Sequence, residues 1–162
     1  MAPRKADADS ARGESASNLR VDASTLRNET FFVMARASAL GSADANRALA
    51  TLNLKVRQYS ALALACSQEP PTQRELSEDL ALDPSQIVAM VDALEERGLV
   101  QRHPDPRDRR SKIVIATAAG RELCTQARAL VEQASASSLA ALTEREAAEL
   151  HRLLTKVALE RG

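Results

Sequence analysis

The feature that most constrains this chain is a run of helix punctuation between Thr72 and Gly98, followed at once by two β-prone runs around a charged tip. Thr72-Gln73-Arg74-Glu75 has the form of a capping box, in which the threonine hydroxyl accepts from the Glu75 amide while the glutamate reaches back. It predicts a short helix to Leu80. Asp83-Pro84-Ser85-Gln86 opens a second helix, with Asp83 at the N-cap and proline preset at the first helical position. That helix runs to Arg97 and ends at Gly98, a residue suited to the left-handed cap. Ile87, Met90, Val91 and Leu94 fall on one stripe, which marks the buried face, and Ser85, Gln86, Ala89 and Asp92 fall opposite. Leu99–His103 and Lys112–Ala116 then read as strands flanking the polar segment Pro104–Ser111, a hairpin with a long charged tip.

Two short helices joined by a tight turn and followed by a hairpin describe a winged helix-turn-helix. Its second helix enters the DNA major groove and its hairpin reaches the neighbouring minor groove. The charge distribution agrees. The whole chain is neutral, with 22 Lys+Arg against 22 Asp+Glu, which excludes a uniformly basic nucleic-acid binder. Between Arg97 and Lys112, however, six basic residues (Arg97, Arg102, Arg107, Arg109, Arg110 and Lys112) face two acidic ones, Asp105 and Asp108. Arginine gathered at a hairpin tip suits phosphates and a narrow minor groove. An Arg-rich hairpin standing alone is more often a solvated loop, and it is the capped helix pair before it that shifts the reading.

The flanking sequence is helical. With 31 Ala, 18 Arg and three aromatic residues in 162, the composition favours helices over a β-sandwich, and no apolar run is long enough to span a bilayer. Residues 1–20 carry too little apolar surface to offset ordering and read as a disordered tail. They lack the apolar core of a secretory signal, so a cytoplasmic protein is expected. Leu26, Phe31, Met34, Ala37 and Leu40 predict a first helix that loosens at Gly41-Ser42 and resumes over Asn46–Leu49. Leu54, Gln58, Ala61, Leu62 and Ala65 mark a second, largely buried helix before Pro70-Pro71. Thr117 caps a further helix, and Thr143-Glu144-Arg145-Glu146 opens the last with Leu150, Leu153, Leu154 and Val157. The fold class expected is mainly α with a small β wing.

In three segments the chain resembles the multiple-antibiotic-resistance regulator (MarR) family of bacterial transcription factors. They are Leu94-Glu95-Glu96-Arg97-Gly98-Leu99-Val100-Gln101-Arg102, Asp105-Pro106-Arg107-Asp108-Arg109-Arg110-Ser111 and Thr117-Ala118-Ala119-Gly120-Arg121. The resemblance implies a homodimeric regulator, most often a repressor, whose two winged domains read a palindromic operator in double-stranded DNA and whose repression a small ligand or oxidation relieves. It implies an N-terminal dimerisation region over 21–50, a winged helix-turn-helix domain over 51–117 and C-terminal dimerisation helices over 118–162. It places Arg107 or Arg109 in the minor groove and has Asp108 and Arg110 brace the tip through a paired charge. Ser85, Gln86, Val88 and Ala89 match base-facing positions, and Thr72, Arg102 and Lys112 complete the expected DNA-binding set. Ala89, Ala93 and Val88 stand where Arg or Thr is common, so Gln86 is the main candidate for a bidentate adenine contact and Val88 for a thymine methyl.

An effector site between dimer helices and winged domain would involve Phe31, Arg47, Arg57 and Tyr59, an arginine-and-aromatic set suited to a phenolic or aromatic carboxylate. Such residues are also ordinary on amphipathic helices. No metal or cofactor is expected, and two histidines without triad or ligand spacing give no basis for an enzyme. Cys66 and Cys124 read first as small core residues. A redox-switched repressor using Cys66 or Cys124 is one alternative, since Arg121 and Arg128 flank Cys124. A ligand-independent dimeric DNA-binding or interaction protein is the other.

Overall fold

The computed structural model describes residues 23–160; the tail expected over 1–20 lies outside them. The elements run α1 (Ala23–Arg27), α2 (Thr30–Leu49), a 3-10 turn (Ala50–Leu52), α3 (Val56–Ala65), α4 (Gln73–Leu80), α5 (Pro84–Glu96), β1 (Val100–Pro104), β2 (Lys112–Ala116), α6 (Ala118–Ser138) and α7 (Glu144–Leu159). The chain divides into two compact units between Ala37 and Ser38, inside α2. In the first unit Phe31, Val33 and Met34 are exposed.

The second unit holds the core. Leu49, Leu54, Leu62, Leu76, Ile87, Val91, Leu94, Val100 and Val114 are fully buried, so each α-helix and strand from the end of α2 to β2 contributes a side chain. The break expected at Gly41-Ser42 does not occur, and α2 continues to Leu49. Glycine costs a helix interior about 1 kcal/mol, and burial of Ala45 and Leu49 in the following turns offsets it. A distant residue starts α3: the Val56 amide donates to Asn46 Oδ1 at 2.8 Å, and the Lys55 amide donates to Gln58 Oε1 at 3.0 Å.

The four sequence-predicted starts are present, Thr117 among them with its hydroxyl accepting from the Gly120 amide at 3.0 Å. Thr72 and Glu75 form a reciprocal capping box, Asp83 accepts from the Ser85 amide with Pro84 behind it, and Thr143 pairs with Glu146. Gly98 is left-handed at φ 68, as its place after α5 requires. The turn between α4 and α5 uses Ala81 at φ 49, a conformation that costs an alanine about 1 kcal/mol or more. It is held by the Leu82 amide donating to the Ser77 carbonyl and the Ser77 hydroxyl donating to the Leu82 carbonyl.

β1 and β2 pair antiparallel with Val100 opposite Ala116 and Pro104 opposite Lys112. The segment before α4 joins this sheet: Thr72 bridges Ile113, and the Val114 amide donates to the Pro71 carbonyl at 2.8 Å. The hairpin is thereby fixed to the start of α4. At its far end Gly120 meets the backbone so closely that a Cβ there would lie 2.0 Å from the Leu99 carbonyl oxygen. α6 buries Gly120, Cys124 and Ala127, whereas α7 buries no residue and leaves Leu153, Leu154 and Val157 exposed.

Candidate nucleic-acid interface

α4 and α5 present a surface beside the hairpin, and α5 offers its Ser85, Gln86, Val88 and Ala89 face to solvent because Ile87, Val91 and Leu94 hold the other face in the core. Val88 is exposed despite its size. The Ser85 hydroxyl and amide both donate to Asp83 Oδ1, at 2.7 and 2.9 Å, so Ser85 keeps only acceptor capacity for a further partner. These two bonds hold the Asp83 carboxyl below its ordinary range. Gln86 stands exposed one residue further on.

The basic residues of the hairpin separate into two classes. Arg102 is drawn inward: its guanidinium pairs with Asp92 and Glu95 of α5, its Nε donates to Gln73 Oε1 at 2.7 Å, and its side chain is 15% exposed. The Arg102 amide also donates to Glu95 Oε1 at 3.0 Å. Expected as a DNA contact, Arg102 has its donors committed to a clamp joining β1, α5 and α4. Gln73, Asp92 and Glu95 were not singled out as site residues, and only the three-dimensional pairing reveals their part.

Arg107 is also held. Its Nε lies 3.1 and 3.2 Å from the two Asp105 carboxylate oxygens, and its Nη2 donates to Asp105 Oδ2 at 3.0 Å and Glu75 Oε2 at 3.2 Å. Asp105 is buried, and bonds from the Arg107 side chain and amide keep its carboxyl below the usual range. The capping carboxylate Glu75 is lowered by bonds from the Thr72 amide and hydroxyl and then by Arg107. Thr72 is thus a cap and a strand bridge, with its amide on Glu75 Oε2 at 2.6 Å. A cavity of about 290 Å³ lined by Glu69, Pro71, Glu75, Glu78, Asp79 and Arg107 places Arg107 in acidic surroundings.

The expected charge pair between Asp108 and Arg110 takes a different form. Asp108 Oδ1 accepts from the Arg110 backbone amide at 3.0 Å, which shapes a turn. The bracing ion pair is Asp105–Arg107, because the buried carboxylate lies where the Asp105 amide closes the loop onto the Ser111 carbonyl. Arg109, Arg110 and Lys112 are exposed and enter none of the ion pairs found among the described residues.

The four candidate effector residues belong to both units. Phe31 is exposed in the first unit; in the second, Arg47 pairs with Asp44 at 2.9 Å, Arg57 is exposed and Tyr59 packs against the core. The two cavities at Glu75 and at Cys66 are lined by other residues.

The sequence pattern described as "MarR family" matches residues 54–112, the span from the start of α3 to the second wing strand. The multiple antibiotic resistance protein MarR of Escherichia coli (strain K12) is 34% identical over 113 residues, covering 69% of this chain and 78% of that protein. The chain belongs to the MarR family. Among solved structures, CouR from Rhodococcus jostii RHA1, bound to p-coumaroyl-CoA, superposes with a TM-score of 0.77 at 38% identity, covering 85% of this chain and 96% of that one. A mutant MarR from Escherichia coli complexed with operator DNA superposes at 0.69 with 28% identity, over 77% and 90% of the two chains. The expected winged-helix class, mainly helical with one small antiparallel sheet, is the fold these family structures share with this chain. A Mycobacterium bovis relative 28% identical is named a transcriptional repressor, and a Rhodococcus structure 36% identical is named a MarR-family transcriptional regulator.

Proposed function

We propose that the chain is a homodimeric, DNA-binding transcriptional repressor that acts in the cytoplasm, binds a palindromic operator and releases it when a small effector binds. The observation that carries the DNA reading is the contrast within the hairpin. Arg102 and Arg107 are tied to carboxylates, while Arg109, Arg110 and Lys112 are exposed and enter none of the ion pairs found among the described residues. In this reading Gln86 and Val88 meet base edges, with Ser85 and Ala89 beside them. Arg109 enters the minor groove, and Arg110 and Lys112 meet phosphates. Thr72, Asp108, Arg102 and Arg107 support that surface from behind.

Dimerisation through 21–50 and 118–162 is supported by the apolar side chains left exposed there: Phe31, Val33 and Leu40 before the winged domain, and Leu153, Leu154, Val157 and Leu159 after it. An aromatic acyl or carboxylate effector is supported by the p-coumaroyl-CoA held by a relative 38% identical to this chain. Phe31, Arg47, Arg57 and Tyr59 are its proposed contacts.

Selection of random duplex DNA by the purified full chain, at two salt concentrations, tests this reading. Recovery of an inverted repeat with half-sites about one helical turn apart is the expected result. Salt-sensitive binding without sequence enrichment, or no binding at low salt by protein shown to be ligand-free, contradicts it.

A further inference from the structure

The cap of α5 does more than close its first turn. Asp83 Oδ1 accepts from the Ser85 amide at 2.9 Å, which satisfies a helix-start donor, and from the Ser85 hydroxyl at 2.7 Å, which capping does not require. The Asp83 carbonyl is held in turn by the Gln86 and Ile87 amides at 3.0 and 3.2 Å, and Ile87, Val91 and Leu94 seat the helix in the core, so carboxylate and hydroxyl keep one relative position. A serine hydroxyl owns a single proton, and on an open surface it turns to donate or accept as its partner requires. An ionised carboxylate only accepts, so the Ser85 proton lies on the Asp83 side. Ser85 is exposed, and its Oγ meets an incoming partner with lone pairs alone; donating elsewhere would break a charge-assisted bond. Gln86, exposed beside it, carries both a donor and an acceptor and keeps either sign open.

We propose that Asp83 is a specificity-determining positioning residue, which fixes Ser85 as a one-way acceptor and so makes the protein read the orientation of one operator base pair. The inference rests on the DNA-binding function proposed for this face. Every base pair shows one amino group in the major groove, N6 of adenine or N4 of cytosine, and it belongs to one strand; the hydrogen-bonding groups of the opposite thymine or guanine are acceptors there. A hydroxyl free to rotate pairs with either edge. One that can only accept bonds to the amino group, and it meets lone pairs when the pair is reversed. A·T is thereby told from T·A, and C·G from G·C, through a carboxylate that itself touches no base. The opposed lone pairs leave a desolvated acceptor without a donor, which is a larger loss than the absence of one bond.

The test selects operators from random duplex DNA with the full-length wild type, Ser85→Ala and Asp83→Gly. Glycine is an accepted N-cap residue, so Asp83→Gly keeps the start of α5 while freeing the Ser85 proton. The expected result is one base pair per half-site at which the wild type disfavours the reversed pair about tenfold and both variants accept either orientation. Affinity is then measured on the selected duplex with that amino group removed, using unsubstituted purine for adenine or 2-pyrimidinone for cytosine. Wild type should lose about tenfold and Ser85→Ala nothing further, a coupling that a purely structural cap would not produce. A 7-deazapurine at the same pair, which removes a groove acceptor instead, should affect wild type and Ser85→Ala equally. An enriched operator on which Asp83→Gly keeps the wild-type orientation preference, amino-group removal that weakens wild type and Ser85→Ala alike, or a Ser85-dependent loss with the 7-deazapurine would overturn the proposal and leave the DNA-binding function standing. Failure of the wild type to enrich any operator would contradict that function itself, and the proposal with it.

Discussion

Arg102 and Arg109 sit on one hairpin, and the difference between them is set by which carboxylates lie within reach. Arg102 meets Asp92, Glu95 and Gln73, so Arg102→Ala should act first on structure, leaving Glu95 and Asp92 without their cation. A loss of about 1–3 kcal/mol in urea unfolding is expected, with the DNA salt dependence of the remaining folded protein unchanged. Gln86→Ala should leave stability within about 0.5 kcal/mol, because Gln86 is exposed and its side chain enters no hydrogen bond found here. In a panel of operator variants it should relax preference at one base position, at a cost of about 1–3 kcal/mol. Gly120→Ala runs against helix propensity: alanine is the better helix former by about 1 kcal/mol, yet its Cβ would lie 2.0 Å from the Leu99 carbonyl oxygen. The backbone must shift, and a net loss of about 1–3 kcal/mol in urea unfolding is expected.

At the scale of elements, local signals carried far and distant partners did not. The caps at Thr72, Asp83 and Thr143 and the left-handed Gly98 were legible because a cap is written within four residues. The continuity of α2 through Gly41 was not, since burial of Ala45 and Leu49 decides it. The burial of Arg102, the Glu75–Arg107 bond and the meeting of Cys66 with Cys124 join residues 7 to 58 apart, and a single sequence carries no signal for such pairs. The helix turn gives one stabilising change: Ala81→Gly relieves the left-handed strain at φ 49 and should add up to about 1 kcal/mol in chemical unfolding. The wing anchor gives a pH dependence. Glu75 and Asp105 lie below their ordinary values of 4.5 and 3.8, so the folded state binds their protons more weakly than the unfolded chain does. Their contribution is complete above those values and is lost as pH falls through the lower folded ones. Melting temperature should therefore be insensitive to these groups near neutrality and fall below about pH 4, more shallowly in Glu75→Gln.

For the whole molecule, the distribution of apolar surface argues for a second chain. α7 carries Leu153, Leu154 and Val157 without burying any residue, and a helix with such a stripe finds its stability in association. Sedimentation equilibrium should return twice the 17.4 kDa chain mass, and Leu154→Glu should shift the population toward monomer. The central claim is that Arg109 at the wing tip, rather than Arg102 and Arg107, which are tied to carboxylates, meets DNA. It is tested most directly by the salt dependence of operator affinity for the wild type and Arg109→Ala. The account predicts weaker binding to every sequence and a log–log slope shallower by about 1 for Arg109→Ala. An unchanged affinity and slope would contradict it.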